Sequence, residues 1–269
     1  MPDASNRRLD PLNGCDLGAF EEYFEAYYRS LTLNDADDPN LLLKRDHSRN
    51  VSRLACRLAL EEKFPKETVF LAGLSGLFHD VGRFEQYRRF KTFKDSESVD
   101  HARLGALIIR KMQIFSSLSR SDFLCLKTAV LLHNKMKLPQ GLPEQISRVT
   151  RAVRDADKLD IFPIMIQHFS AKQENSAVVT LGLDPAEACS PAMVESLKAG
   201  ELGQYAAMRY VNDFKLLLCS WVYDLNYDFS RQRVLGKRYI QTLFELLPQE
   251  PEMDRLKRKT LDYLGKRCS

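Results

Sequence analysis

The sequence predicts an all-α protein, and three features of its 269 residues lead to this prediction. Apolar residues recur at spacings of three and four in segment after segment, which is the period of a helix with one buried face. Proline, glycine and small polar residues separate these segments, as expected where helices end. No stretch longer than SAVVTL shows the alternation of apolar and polar residues that is typical of a strand.

The composition suits a globular chain with a substantial core. Apolar residues make up 44% of the sequence, and 40 basic against 36 acidic residues leave a net charge of +4, too small to indicate nucleic-acid binding. No apolar run approaches the roughly 20 residues that cross a bilayer, and the start, MPDASNRRLD, lacks the apolar stretch of a signal peptide. The six cysteines are far apart, so no disulfide framework or zinc ribbon is expected. We expect a soluble cytoplasmic protein.

The first predicted elements are a flexible leader over residues 1–15 and a single helical domain over residues 16–269. Asp16 is a plausible cap for a helix whose aromatic residues should pack on the bundle, namely Phe20, Tyr23, Phe24, Tyr27 and Tyr28. After the turn-rich segment LTLNDADDPN, helical periodicity resumes at Leu41. His47 lies on the buried stripe of this second helix.

The third helix, KETVFLAGLSGLFHD, follows Pro65 and is almost wholly apolar, so we expect it at the centre. Gly73 and Gly76 each cost about 1 kcal/mol there relative to alanine, which predicts the close approach of another backbone. The helix ends in His79-Asp80. A buried imidazole and carboxylate lose their hydration and need a partner, and a metal ion is the obvious one.

Two further histidines follow at helix ends. The segment from Arg83 to Asp100 is predicted to be a solvated, partly structured loop, and the next helix starts at His101. Asp100 is expected either to cap that helix or to hold a ring nitrogen of a histidine. His133 then ends the helix DFLCLKTAVLLHN on its apolar stripe.

The helix EQISRVTRAVRDADKLDIF follows a connection rich in proline and glycine. Asp157 lies on its inward face and needs a cation, and Asp160 is close to that face as well. Asp155 lies off the stripe, where water can solvate it. His168 fits no pattern and is interpreted as structural or exposed.

The rest of the chain is predicted to be an irregular segment over residues 172–203, which would cover the mouth of the site, and a C-terminal helical extension at about 204–266. Trp221 supplies bulk to the first helix of this extension. Ser230 is a candidate cap for the next helix, and Pro251 a candidate first-turn residue of the last one.

The order His, His-Asp, His, His, Asp, over about residues 46–162, resembles the HD-domain superfamily, whose defining residues are a His, an adjacent His-Asp pair and a distal Asp. The resemblance implies an HD-domain helical bundle, at about residues 41–170, with additional N- and C-terminal helices. The two extra histidines resemble the subset that holds two metal ions. The distal acid is taken as Asp157 because the last motif of the superfamily ends in Ala-Asp.

The resemblance implies a specific assignment of the ligands. One ion would be held by His47, His79, Asp80 and Asp157, and Asp80 would bridge to a second ion held by His101 and His133. Nitrogen and oxygen donors without thiolate suit one or two divalent transition-metal ions, such as Mn, Fe, Co, Ni or Zn. Two ions about 3.5–4 Å apart can deprotonate a shared water and polarise a phosphoryl oxygen.

The activity that the resemblance implies is metal-dependent hydrolysis of a small-molecule phosphate ester, such as a nucleotide, by a metal-bridged hydroxide. Asp80 and Arg83 are the predicted catalytic residues, because the planar fork of Arg83 can bind non-bridging phosphate oxygens in pairs. The chain lacks the GYP signature of the related cyclic-dinucleotide phosphodiesterases, in which a lysine stands at the position of Arg83. This difference argues against cyclic di-GMP as the substrate.

Two other function classes remain open. Diiron oxygenases similar to myo-inositol oxygenase use the same ligand order, and the identity of the ligands does not separate them from the hydrolases. The third class is a non-enzymatic metal-bound or nucleotide-sensing module. No feature of the sequence specifically supports this class.

Overall fold

The fold of this protein is all-α, as the sequence predicts. The computed structural model describes residues 15–31, 38–171 and 182–267, and in these ranges it contains helices and no strand. One isolated bridge pairs Asp184 with Tyr210. The predicted leader, apart from Cys15, and the SAVVTL segment lie outside the described residues. None of the described helices is both long and apolar enough to cross a lipid bilayer.

All six predicted ligands lie in the helices up to residue 171 or directly at their ends. These helices are α1 (Gly18–Leu31), α2 (Pro39–Glu61), α3 (Lys66–Phe78), α4 (Val81–Phe90), α5 (His101–Ile109), α6 (Arg120–Leu132) and α7 (Glu144–Ser170). Helix α3 contacts α1, α2, α6 and α7, and all its residues from Leu71 to Phe78 are buried. A helix that is apolar all round is stable only in the interior, so the predicted central position is confirmed.

Local capping signals set where α2 and α5 begin. The carboxylate of Asp38 accepts hydrogen bonds from the backbone N–H groups of the second and third residues of α2, and Pro39 occupies the first helical position. Asp100 caps α5 in the same way, through the N–H groups of Ala102 and Arg103. Of the two roles predicted for Asp100, the structure therefore shows the cap.

The aromatic stripe of α1 packs on the bundle, as predicted. Phe24 and Tyr28 are buried. The Phe24 ring meets Phe78 of α3 edge to face at a centroid distance of 5.6 Å, and the Tyr28 ring meets Phe84 of α4 at 5.4 Å. These contacts place α1 against the helix that ends at the His-Asp pair.

The loop predicted from Arg83 to Asp100 is wrong over residues 83–90, because Val81–Phe90 forms α4. Phe84 and Tyr87, three residues apart, lie on one face of this helix and are buried. Glu85 is buried as well, and its carboxylate accepts hydrogen bonds from the exposed Arg88 and Arg89. Only residues 91–100, which include one short 3-10 turn, remain as a connection.

The C-terminal helices begin earlier than predicted. Helix α8 (Pro191–Ala199) lies in the segment predicted to be irregular, and it is followed by α9 (Val211–Ser220), α10 (Asp228–Gly236), α11 (Tyr239–Glu245) and α12 (Pro251–Arg267). These helices share a core with Phe162 and Met165 of α7. Ser230 lies inside α10 and does not cap it, because α10 already begins at Asp228.

Two glycines of α3 allow the chain to approach closely. A Cβ at Gly76 would lie 3.0 Å from the Cα of Ser52, so the predicted approach of another backbone is confirmed there. At Gly73 the neighbour is a side chain instead, since a Cβ would lie 2.1 Å from Sγ of Cys56. Cys56 is joined to Cys15 by a disulfide, which the wide spacing of the cysteines does not predict.

Candidate metal centre

The six predicted ligand residues meet at one point of the bundle. His47 comes from the middle of α2, His79 and Asp80 from the end of α3, His101 from the start of α5, His133 from the end of α6 and Asp157 from α7. The four histidines and Asp80 are buried, and Asp157 is partly exposed. The side of Asp157 is therefore the open side of the cluster.

Asp80 lies at the centre of this cluster. Its Oδ2 is 3.8 Å from Nε2 of His47 and 3.7 Å from Nε2 of His79. Its Oδ1 is 3.4 Å from Nε2 of His101 and 3.6 Å from Nε2 of His133. Each carboxylate oxygen thus faces a different pair of imidazoles.

Asp157 and Asp160 make different contacts with His47. Oδ1 of Asp157 is 3.1 Å from Nε2 of His47 and 3.8 Å from Nε2 of His79, on the inner side of the rings. Asp160 accepts a hydrogen bond from the opposite nitrogen, Nδ1 of His47, at 2.7 Å. Asp157 therefore lies within the cluster, whereas Asp160 orients a ring from outside it.

His79 and His133 are oriented by the helices that they end. Nδ1 of His79 donates to the carbonyl O of Gly76 at 2.7 Å, and Nδ1 of His133 donates to that of Val130 at 2.8 Å. In both cases the acceptor is three residues earlier, at a helix end where carbonyl groups lack partners within the helix. The same local arrangement thus turns both Nε2 atoms inward.

Asp95 orients His101, and the sequence analysis missed this residue. Nδ1 of His101 lies 2.7 Å from Oδ2 of Asp95, which belongs to the connection after α4. A charged residue in a loop of mixed charge gives no periodic signal, so only its position beside the histidine identifies it. All four histidines thus have a hydrogen-bond acceptor at Nδ1 and present Nε2 to Asp80.

The donor set fits a divalent transition-metal ion. The Nε2 atoms of His47 and His79 are buried and have no hydrogen-bond partner in the described part of the chain. Unpaired polar atoms in a core are costly, and two of them aimed at the same carboxylate indicate a missing cationic partner. One group that could hold an ion is His47, His79 and Asp157, and a second is His79, Asp80 and His133.

Burial controls the ionisation of the cluster. It lowers the pKa of His79 to about 3, and together with Arg83 it lowers the pKa of His101 to about 4, so both rings are neutral near pH 7. Burial and Lys44 act to lower the pKa of His47, but the carboxylates of Asp157 and Asp160 beside its two nitrogens outweigh them and raise it to about 9. Burial alone would raise the pKa of Asp80, whereas Lys44 and the imidazoles hold it well below its usual range.

Lys44 is a second residue that the sequence analysis missed. Its Nζ donates to Oδ2 of Asp80 at 2.7 Å. Lys44 lies three residues before His47 on α2, hence on the same helix face, and this spacing is the signal that could have identified it. A carboxylate oxygen has more than one lone pair, so this hydrogen bond leaves Oδ2 able to bind a cation as well.

Arg83 faces the cluster with one edge of its guanidinium. Its Nε is buried 3.6 Å from Oδ1 of Asp80, without a hydrogen-bond partner among the described residues. Its Nη1 donates to Asp95 at 2.8 Å and to Gln86 at 2.9 Å. Arg83 therefore holds the carboxylate that orients His101, and its Nε remains directed at the site.

Tyr205 comes from beyond the predicted HD core. It lies in the short turn Tyr205–Ala207, and 52% of its surface is exposed. The exposed part is not the hydroxyl group, whose burial, together with the charges of Asp157 and Asp95, raises the pKa of Tyr205, while Arg83 lowers it. The C-terminal part of the chain thus borders the open side of the cluster.

Two other predicted residues lie outside the cluster. His168 is half buried near the end of α7, with its ring against Phe169. The predicted solvation of Asp155 is wrong, because this residue is fully buried. Its carboxylate accepts hydrogen bonds from the backbone N–H groups of Asn226 and Tyr227, which replace the water.

The comparison with known families agrees with this geometry. The family model of the HD domain matches residues 45–161, a range that begins just before His47 and ends just beyond Asp157. No curated protein and no solved structure matches the chain significantly. Residues 45–161 of this all-α chain thus match the HD domain, a family whose members are generally metal-dependent phosphohydrolases.

Proposed function

We propose that this protein hydrolyses a phosphate ester, such as a nucleotide or a related small molecule, with two divalent transition-metal ions. His47, His79, Asp157 and Oδ2 of Asp80 would hold one ion, and His101, His133 and Oδ1 of Asp80 the other. The observation that carries this proposal is the position of Asp80, each of whose oxygens faces a separate pair of Nε2 atoms. Such ions supply Lewis acidity, which activates water and polarises a phosphoryl oxygen.

The hydrogen bonds behind the histidines support the same proposal. A ring that donates from Nδ1 keeps its lone pair on Nε2, and all four rings have an acceptor at Nδ1. Acceptors of this kind fix the tautomer and make the ring a stronger ligand. Four inward Nε2 atoms around one carboxylate form a site suited to cations, and an ion bound there would displace the proton that the raised pKa of His47 leaves on its ring.

Two cations at the site favour an anionic substrate. Lys44 lies beside Oδ2 of Asp80 and Arg83 beside Oδ1, and both lie over the ring of Phe93, at 5.5 and 6.0 Å from its centroid. The unpartnered Nε–H of Arg83 can donate to a phosphate oxygen where negative charge grows in the transition state. Its contact with Asp95 limits the movement of the guanidinium and preorganises it for this role.

The test is phosphate release from a panel of nucleotides and simple phosphate esters in the presence of manganese, with the metal content of each protein measured. Arg83→Ala should reduce turnover by on the order of 10²–10³ at equal metal loading. Arg83→Lys should recover only part of this loss, because an ammonium lacks the planar fork. Arg88→Ala, on the exposed face of α4, is the matched control and should not change turnover.

Two outcomes would contradict the proposal in different ways. Equal rates of wild type and Arg83→Ala at equal metal loading would remove Arg83 from the mechanism. No phosphate release by a fully loaded wild type, together with coupled irons that consume oxygen, would instead assign the chain to the oxygenases.

A further inference from the structure

A buried ion cluster connects the C-terminal helices to the candidate metal centre. Arg154 and Lys158 lie one turn apart on α7, and only 4% and 8% of their surfaces are exposed. Both donate to the same atom, Oδ2 of Asp224, at 2.7 and 2.8 Å. Asp224 ends the short turn Trp221–Asp224 that follows α9. Since a buried cation without a counter-ion is costly, this one carboxylate holds two side chains of α7 in place.

Arg154 also contacts the end of the helix that carries His133. Its Nη1 donates to the carbonyl O of His133 at 3.0 Å and to the carbonyl O of Lys135. The carbonyl groups at the C-terminal end of α6 lack partners within the helix, and a positive charge there complements the helix dipole. The guanidinium therefore fixes the end of α6 at the residue whose ring enters the cluster.

The ring of His133 depends on the position of that helix end. Its Nδ1 donates to the carbonyl O of Val130, within the last turn of α6. Its Nε2 is 3.1 Å from Nε2 of His101 and 3.6 Å from Oδ1 of Asp80. A displacement of the end of α6 would change both inner distances together.

The loop that contains Asp224 is anchored on α7 a second time. Asp155, next to Arg154, accepts hydrogen bonds from the side-chain amide of Asn226 at 2.8 Å and from the backbone N–H of Tyr227 at 3.1 Å. Because the loop is held at two neighbouring residues, Asp224 is fixed relative to α7. Asp224 therefore fixes the guanidinium of Arg154, which in turn fixes the end of α6.

We propose that Asp224 is a positioning residue of the metal centre. Through Arg154 it holds His133, so the C-terminal helices complete the ion position that His133 forms with His101. This inference rests on the proposed function only in taking His133 as a metal ligand. The contacts from Asp224 to Arg154 and from Arg154 to the backbone of His133 are formed between protein atoms and do not involve a metal ion.

The experiment uses three variants of the full chain. Asp224→Asn removes the counter-charge and keeps the shape. Arg154→Lys keeps the charge, but an ammonium cannot reach Asp224 and the α6 carbonyl groups with a fixed fork. Lys158→Gln is the matched control, since Lys158 binds the same carboxylate and the carbonyl O of Arg154 but makes no described hydrogen bond to α6. If Asp224→Asn does not fold, Arg154→Lys still tests the contact.

The first measurement is the Nδ1–H signal of His133 in protein labelled with ¹⁵N-histidine, assigned with His133→Ala. In Asp224→Asn and Arg154→Lys this signal should shift or exchange rapidly with water. The Nδ1–H signal of His79, which makes the same kind of hydrogen bond at the end of α3, should stay in place. A general loss of structure would move both signals, whereas a positioning role moves only one.

The second measurement is a cobalt titration followed by visible absorption. Asp224→Asn and Arg154→Lys should each lose about 10- to 100-fold in affinity for one of the two ions, as expected when the support of a ligand is removed. Their affinity for the other ion should equal that of the wild type. Lys158→Gln should bind both ions as wild type does. An unchanged His133 signal and wild-type affinities in both clamp variants, Asp224→Asn and Arg154→Lys, would overturn the inference. A shifted His133 signal combined with a wild type that hydrolyses no ester would refute the proposed function and leave the positioning role intact.

Discussion

Replacement of Asp80 by asparagine should remove the link between metal binding and stability. The carboxylate of Asp80 faces all four Nε2 atoms, so its charge is shared by both proposed ions. An ion at 100 times its dissociation constant stabilises a folded protein by about 2.7 kcal/mol, which gives about 5 kcal/mol for two ions. For a chain of this size the corresponding rise in Tm is on the order of 10–20 °C. Asp80→Asn, which preserves the shape, should lose this rise.

The assay is thermal unfolding of wild type and variant, each with manganese and with a chelator, together with metal analysis of the same samples. Asp46→Asn is the control, because Asp46 neighbours His47 but is exposed and pairs with Arg45. The variant Asp80→Asn also breaks the ion pair with Lys44, so part of its loss of stability should persist in the chelator. The bridging role would be refuted if manganese raised the Tm of Asp80→Asn as much as that of the wild type, or if the variant contained as much metal as the wild type.

In metal analysis, His101→Ala should lose roughly one ion per chain and His168→Ala none. Loss of metal from His168→Ala but not from His101→Ala would contradict the assignment of His101 as a ligand. Gly82→Ala should destabilise the fold by at least about 1–3 kcal/mol in urea unfolding, because the new Cβ would lie 2.2 Å from the carbonyl O of His101. The control Gly236→Ala places its Cβ in open space and should be neutral or stabilising. In a chelator, stability should fall as the pH decreases from about 6.5 to about 4, since the unfolded chain binds protons that burial denies to His79 and His101. The slope from these two rings reaches at most about 2.7 kcal/mol per pH unit, near pH 5, where the unfolded chain binds two protons more than the folded one. An unfolding free energy that is constant from pH 6.5 to 4 would contradict the shifted pKa values.

The sequence by itself determines the fold class and the residues that face inward. Helical periodicity is a local property, so the apolar residues after His47 and before His133 already define the buried side of each helix. The same holds for the central position of α3, which follows from the absence of a polar face. Where apolar and polar residues mix without a clear period, as in α4 and α8, the sequence predicts loop or irregular structure, whereas the structure contains helices.

Only the tertiary structure decides which atoms of the inward-facing residues meet. Asp157 and Asp160 are three residues apart on one helix face, and their different contacts with His47 depend on how α2 crosses α7. Lys44 and Asp95 belong to separate segments, and their contacts with the cluster exist only after several helices have packed. A local pattern can show that Lys44 shares a helix face with His47, but its contact with Asp80, like that of Asp95 with His101, depends on the relative placement of distant elements.

The contribution of the C-terminal helices depends most strongly on tertiary structure. Asp224 is 70 residues from Arg154, and a single acidic residue after an apolar helix has no sequence signal that names its partner. The need for a partner can be predicted, because α7 carries two cations that packing against other helices removes from water. The identity of that partner follows from the packing of α9 and α10 beside α7, which brings the carboxylate within 2.7 Å of the guanidinium.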